Sequence, residues 1–220
     1  MFEHKRITIF VGHYGSGKTN IAINYAKLLK KAGKDVVIAD LDIVNPYFRT
    51  KDSEEELKEE GIKLICSAYA NSNVDIPALP SDIYSVTEDK SKYAVLDIGG
   101  DDRGAFALGR ITPAILEEND YEMLFVANFC RPLTKTAQEA YEVIREIEKA
   151  SGIKVTAIVN NTNLGEETDV KTVLDSEKLT EELSLLSGLP IKFTAVMKKL
   201  SSEILEGGDR LFIDLQKKIF

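Results

Sequence analysis

The sequence predicts an α/β fold: a doubly wound, mainly parallel sheet of about seven strands with helices on both faces, built as one domain over residues 1–220. Three observations predict it. Strand-like and helix-like patterns alternate along the chain, the signature of a parallel sheet covered by crossover helices. Several strand-like runs are nearly continuous in Val, Ile, Leu and Phe, as expected of strands buried on both faces. A glycine-rich octapeptide, Gly12-His13-Tyr14-Gly15-Ser16-Gly17-Lys18-Thr19, joins the first such run to the first helix. A chain of 220 residues with 44% apolar and 29% charged residues can bury the core such a fold needs.

The elements follow in order. The apolar run 6–11 is the first strand, and 18–32 is a helix stopped by Gly33, where a helix-ending glycine belongs. A strand at 35–39, a helix at 53–60 and a strand at 63–66 come next. Segment 67–80 has no periodicity; loops of that length are often functional. Its Tyr69, Asn71, Asn73 and Asp75, with Arg49, could line an acceptor pocket for a small-molecule substrate, but they carry no recognisable substrate signature. A helix at 80–86, a strand at 93–98, a helix at 105–118 and a strand at 123–129 follow. The helix 134–151 is closed by Gly152, and a strand at 155–159, a helix at 170–186 and a strand at 191–196 continue the alternation. The last stretch, 209–219, reads as an amphipathic helix, with Leu211, Phe212, Leu215 and Ile219 on one face. With few charges flanking that face, packing on the sheet is a better reading than membrane docking.

The octapeptide fits G-x-x-x-x-G-K-[ST], the phosphate-binding loop, and it stands in the strand–loop–helix context that motif requires. Gly12, Gly15 and Gly17 let the backbone turn its N–H groups inward around a polyphosphate, with His13, Tyr14 and Ser16 completing the loop. The following helix, which begins Lys18-Thr19-Asn20, aims its positive end at the same charge. Lys18 can reach the β- and γ-phosphates, and the Thr19 hydroxyl can ligate Mg²⁺.

Three further clusters end strands, where open α/β sheets bind ligands. Asp40-Leu41-Asp42 closes the second strand; its carboxylates can orient Mg²⁺ waters or an attacking water, or they are solvated loop acids. Asp97 closes the strand 93–98 in the Walker B manner and would hold Mg²⁺. Gly100 follows at Asp-x-x-Gly, where an N–H can meet a γ-phosphate and make the loop sense hydrolysis. Asn160 and Asn161 end the strand 155–159, and a side-chain amide there can read a base edge; an Asn-rich turn is the plain alternative. No Asn-Lys-x-Asp occurs, because Thr162 and Leu164 stand where its Lys and Asp would be. Guanine recognition normally uses that carboxylate, so adenine is favoured.

These clusters, in this order, resemble the MinD/ParA/nitrogenase-iron-protein class of P-loop ATPases over nearly the whole chain. The resemblance implies binding of ATP and Mg²⁺, slow hydrolysis, a nucleotide-dependent homodimer, and a protein partner controlled by nucleotide state. It implies that Lys18 and Thr19 bind phosphate and metal, that Asp42 positions the attacking water and supports the metal site, and that Asp97 supports Mg²⁺. Asn160 or Asn161 would meet the adenine. The class usually carries a lysine where this chain has His13, and that lysine reaches across the dimer. Histidine is shorter and mostly neutral at pH 7, so Arg49, Arg103 or Arg131 is a candidate charged substitute, each with a surface arginine as the plain alternative.

Composition narrows the rest. A net charge of -8 argues against a surface that coats nucleic acid. No apolar run approaches the ~20 residues of a membrane span, and the first strand begins too early for a signal peptide, so a cytoplasmic location is expected. Cys66 and Cys130 lack a C-x-x-C arrangement and are expected to be inert buried thiols. His4 and His13 lack ligand spacing. The leading expectation is an ATP-dependent switch acting on an unidentified protein. A small-molecule ligase or kinase of the dethiobiotin-synthetase type and a GTP-dependent metallochaperone are the competing readings.

Overall fold

A computed structural model describes residues 3–42, 53–66, 81–100, 102–204 and 208–215, with the side chains of 81, 102, 103 and 106 left aside. Eight strands form one sheet: β1 (Ile7–Val11), β2 (Val36–Leu41), β3 (Lys63–Ile65), β4 (Tyr93–Ile98), β5 (Tyr121–Ala127), β6 (Ala157–Asn160), β7 (Ile191–Met197) and β8 (Arg210–Ile213). Their order is β3-β2-β4-β1-β5-β6-β7-β8, and every neighbouring pair is parallel. β1 is therefore central, flanked by β4 and β5, and the octapeptide leaves its C-terminal end.

The helices are α1 (Lys18–Lys31), α2 (Glu54–Glu59), α3 (Ser85–Glu88), α4 (Asp102–Gly109), α5 (Thr112–Glu118), α6 (Ala137–Ser151) and α7 (Val170–Ser187). They divide the core into two layers. On one face of the sheet, Ile21, Ala22, Tyr25, Ala26 and Leu29 of α1 and Leu57 of α2 pack on Phe10, Ile38, Val95 and Leu124. On the other, Val86, Leu108, Ile115, Ile144 and Leu183 from α3 to α7 cover Ile9, Ala39, Leu96 and Phe125. The alternation follows from the two-residue period of a strand, which sends neighbouring side chains to opposite faces. Predominantly apolar central strands are what two covered faces require, and the buried polar residues Thr8, Asp40, Asp97 and Glu122 are exceptions.

Two expectations change. The helix expected over 105–118 is two helices, α4 and α5. The break falls after Gly109, and Pro113 lies in the first turn of α5; proline suits a helix start because it has no N–H to satisfy. The amphipathic helix expected over 209–219 begins instead as strand β8, parallel to β7 with Thr194 opposite Arg210. Leu211 and Ile213 point inward and Phe212 outward, a period of two. This strand brings the sheet from about seven to eight. Residues 216–220 lie outside the described residues. Among the described residues, no helix is long and apolar enough to cross a membrane.

Candidate nucleotide site

The phosphate-loop glycines carry the backbone that the motif demands. Gly12, Gly15 and Gly17 have φ of +151°, +76° and +89°, conformations that side chains resist. Space enforces the same choice: a Cβ on Gly12 would stand 2.6 Å from the Val126 carbonyl oxygen, and one on Gly17 would stand 2.3 Å from Asn161 Nδ2. Gly17 is also the N-cap of α1, and no side chain caps that end. The positive end of α1 thus lies at the loop. Ser16 Oγ is buried and has no hydrogen-bond partner among the described residues. A cradle of inward backbone, an uncapped helix end and a buried hydroxyl fit a polyphosphate.

Lys18 is 6% exposed, and its ammonium donates to the His13 carbonyl at 3.2 Å. The lysine thus lies along the loop with its charge held against it. His13 folds back on the same segment, its Nδ1 donating to the Tyr14 carbonyl at 3.0 Å. Tyr14 is exposed at the loop apex. Asn20 is half-buried on the first turn of α1, and its carbonyl accepts from Asn24 Nδ2 at 2.8 Å.

Asp97, near the end of β4, is 1% exposed and accepts from Thr19 Oγ1 at 2.7 Å. Asp40 of β2 stands directly opposite Asp97 in the strand register, so the two carboxylates share a face of the sheet. It is the face of α1, as the packing of Ile38 and Val95 against that helix shows. Asp40 Oδ1 accepts from the Asp42 backbone N–H at 3.0 Å, a tight turn that starts the segment after β2. A hydroxyl and two carboxylates beside a phosphate cradle are a hard-oxygen donor set of the kind Mg²⁺ takes, with water and phosphate supplying the remainder. Among the described residues, no three His, Cys, Asp or Glu side chains cluster to hold a metal without a ligand's help.

Gly100 lies against the phosphate loop. A Cβ there would be 2.6 Å from the Tyr14 nitrogen and 3.0 Å from Lys18 Nζ. The Asp-x-x-Gly segment and the octapeptide are therefore in backbone contact, and glycine is what permits it. The neighbouring Gly99 is pressed by α4, since a Cβ on Gly104 would meet Gly99 backbone atoms at 2.6–2.8 Å.

Both asparagine amides have partners within the protein. Asn160 is fully buried. Its Nδ2 donates to Ser176 Oγ at 2.8 Å, and its Oδ1 accepts from Thr162 N and Oγ1 at 3.1 and 2.8 Å. That amide joins β6 to α7 and shapes the turn, a structural role. Asn161 turns toward the phosphate loop, its Nδ2 donating to the Ser16 carbonyl at 2.7 Å.

Of the candidate arginines, Arg131 is described, and its Nε donates to the Gly15 carbonyl at 3.0 Å. Arg49 and the Arg103 side chain lie outside the described residues, as does the whole of 67–80. Both cysteines are half-buried rather than enclosed. Burial pushes the Cys130 thiol up against the opposing pull of Arg131, which disfavours the reactive thiolate.

Asn128 is not among the residues the sequence singles out. The strand expected over 123–129 would enclose it, but β5 ends at Ala127. Asn128 is fully buried, its Oδ1 accepting from Cys130 N at 3.0 Å and its carbonyl from Thr134 Oγ1 at 2.8 Å. A polar residue closing a buried apolar run was the available signal, the same one that marked Asp97.

Comparison with known proteins places this geometry. Solved structures share the fold, among them three from different organisms. The cell division protein FtsY of Thermotoga maritima is 18% identical, with 86% of this chain and 61% of that one covered and a TM-score of 0.55. The signal recognition particle receptor FtsY of Elizabethkingia anophelis, in complex with GDP, is 18% identical, with 89% and 58% covered and a TM-score of 0.53. The signal recognition particle 54 kDa protein of Aeropyrum pernix K1, in complex with GDP, is 17% identical, with 87% and 41% covered and a TM-score of 0.55. At these identities the likeness is one of fold, and the match spans less than two thirds of each of those chains. No curated protein sequence matches this one. A family model, however, runs through the phosphate loop, the acids and the asparagines alike, over residues 7–203: the chain belongs to the CobQ/CobB/MinD/ParA nucleotide-binding domain family.

Proposed function

We propose that this protein is a Mg²⁺-dependent ATPase that serves as a nucleotide-controlled switch for a protein partner. The observation that carries the reading is the contact of Gly100 with Tyr14 and Lys18. It puts the segment after Asp97 against the loop that would hold the phosphates, so the number of phosphates bound can act on that segment. Adenine is favoured because Thr162, Asn163 and Leu164, not a Lys and an Asp, follow Asn161. The homodimer and the partner come with the family resemblance; the acidic chain and the short apolar runs favour neither nucleic acid nor membrane.

The chemistry assigned to the chain is hydrolysis. Loop N–H groups and the Lys18 ammonium spread the charge of the transferring phosphoryl group, which is the larger part of catalysis in such reactions. Asp42 orients a water for attack on the γ-phosphorus as the bond to the bridging oxygen breaks, leaving ADP and inorganic phosphate. Thr19, Asp97 and Asp40 would hold Mg²⁺, which when bound neutralises charge on the phosphate oxygens.

The test is phosphate release measured beside mass by light scattering, with Mg²⁺ and either ATP or GTP. The expected result is ATP-specific, slow release with a monomer-to-dimer shift. Lys18→Ala should abolish both, and Asp42→Ala should lower turnover at least tenfold while nucleotide still binds. Unchanged turnover in Asp42→Ala would remove its water-positioning role. Preference for GTP would transfer the site to guanine, the base of the GDP held by two of the structures of like fold. Rapid turnover that requires a metabolite would replace the switch with a small-molecule enzyme.

A further inference from the structure

We infer that Arg131 and Asn161 form a two-point clamp that fixes the phosphate loop in its binding conformation, making both positioning residues for the nucleotide. The inference rests on the proposal that the loop binds nucleotide, and deepens it. Two consecutive loop carbonyls, those of Gly15 and Ser16, accept side-chain donors from outside the loop. Arg131 Nε reaches the first at 3.0 Å and Asn161 Nδ2 the second at 2.7 Å. In a planar trans peptide the N–H lies opposite the C=O. A donor that holds the Ser16 carbonyl outward therefore holds the Gly17 N–H inward, where a phosphate oxygen would be. A donor on a carbonyl also polarises that peptide and strengthens its N–H.

The donors come from two strand ends that are themselves joined. Arg131 lies after β5 and Asn161 after β6. The Asn161 N–H donates to the Ala127 carbonyl at 2.8 Å, and the Phe129 N–H to Thr162 Oγ1 at 3.2 Å. Within the β5 loop, the Arg131 N–H donates to the Asn128 carbonyl at 3.2 Å. Leu133 closes the turn at φ +67°, a conformation that costs a non-glycine residue energy and persists only where its surroundings impose it. The fit is close as well as polar, since a Cβ at residue 17 would stand 2.3 Å from the Asn161 amide nitrogen and would push that amide off the Ser16 carbonyl. Arg131 thus acts on its own chain's loop through a backbone carbonyl.

Binding of ADP and of a non-hydrolysable ATP analogue by Arg131→Ala, Arg131→Gln, Arg131→Lys and Asn161→Ala tests the clamp, with thermal melting of each variant confirming that it folds. Loss of one hydrogen bond to the loop is expected to weaken both nucleotides about tenfold. Gln and Lys, which keep a donor, should recover part of that loss. The double variant should lose less than the sum of the two singles, because both residues act on one loop. If Arg131→Ala binds ADP and the analogue like the wild type, the clamp is wrong. If only the analogue is weakened, and Gln is no better than Ala, Arg131 acts as a charge on the γ-phosphate and the clamp is again wrong. A wild-type protein that binds neither nucleotide would instead overturn the nucleotide reading itself.

Discussion

A single methyl group tests the central contact at the residue scale. In Gly100→Ala the new Cβ meets the Tyr14 nitrogen at 2.6 Å, and a backbone atom cannot swing aside as the end of a side chain can. The phosphate loop or the segment after β4 must shift. Because that surface would meet phosphates, the expected outcome is a loss of ATP affinity of about tenfold or more, equivalent to roughly 1.4 kcal/mol, with a melting temperature that changes little. Titration calorimetry beside thermal melting checks it; unaltered affinity would mean the two segments separate freely. The phosphate-loop residues were legible because eight consecutive positions carry the motif. Asp97 was legible as the polar end of an apolar strand. The contacts of Arg131 and Asn161 with the loop were not, because each joins residues more than a hundred positions apart and depends on which strand ends the sheet brings together.

At the scale of elements, α6 offers the clearest local determinant. Thr136 is its N-cap, accepting from the Glu139 N–H at 3.2 Å while Glu139 Oε2 accepts from the Thr136 N–H at 3.1 Å, a complete capping box. Gly152 ends the helix at φ +71°. Thr136→Ala removes the side-chain acceptor and should cost about 1 kcal/mol, read as a lower urea midpoint with an unchanged slope; Thr136→Ser should recover most of it. An alanine variant as stable as the wild type would show that neighbouring packing holds the helix start. The closing glycine and the apolar strands are local, and the sequence showed them; the capping box is equally local, but the helix expected over 134–151 starts ahead of it. The failures have local causes too. Residues 105–118 keep an apolar pattern across a break that Gly109 and Pro113 mark. In 210–213, one apolar run suits either a helix or a strand, and only pairing with β7 decides between them.

The whole molecule ties its sheet together at the end opposite the candidate site, through a buried carboxylate that no periodicity announced. Glu122 of β5 accepts from Thr8 of β1 at 3.1 Å and from Tyr25 of α1 at 2.9 Å, and pairs with Lys192 of β7 at 2.6 Å. Tyr25 donates to Glu122, so its oxygen accepts from His4, whose Nδ1 is 2.9 Å away. Burial and the Glu122 charge push the Tyr25 hydroxyl far above its ordinary range, keeping it a donor. Burial lowers the His4 pKa from 6.5, with Glu122 opposing and Lys192 and Lys34 assisting. The sign follows. The unfolded chain binds the His4 proton more readily than the folded one, so the stability His4 contributes is fully present above pH 6.5 and is lost as pH falls through the lowered folded value. Urea unfolding from pH 8 to pH 5 should show wild-type stability declining over that window. His4→Gln, which cannot be protonated there, should decline less while Tyr25→Phe, which leaves Glu122 one donor short, lowers stability across the whole range. Parallel wild-type and His4→Gln curves would show that the imidazole stays solvated in both states and that Glu122 and Lys192 carry the junction without it.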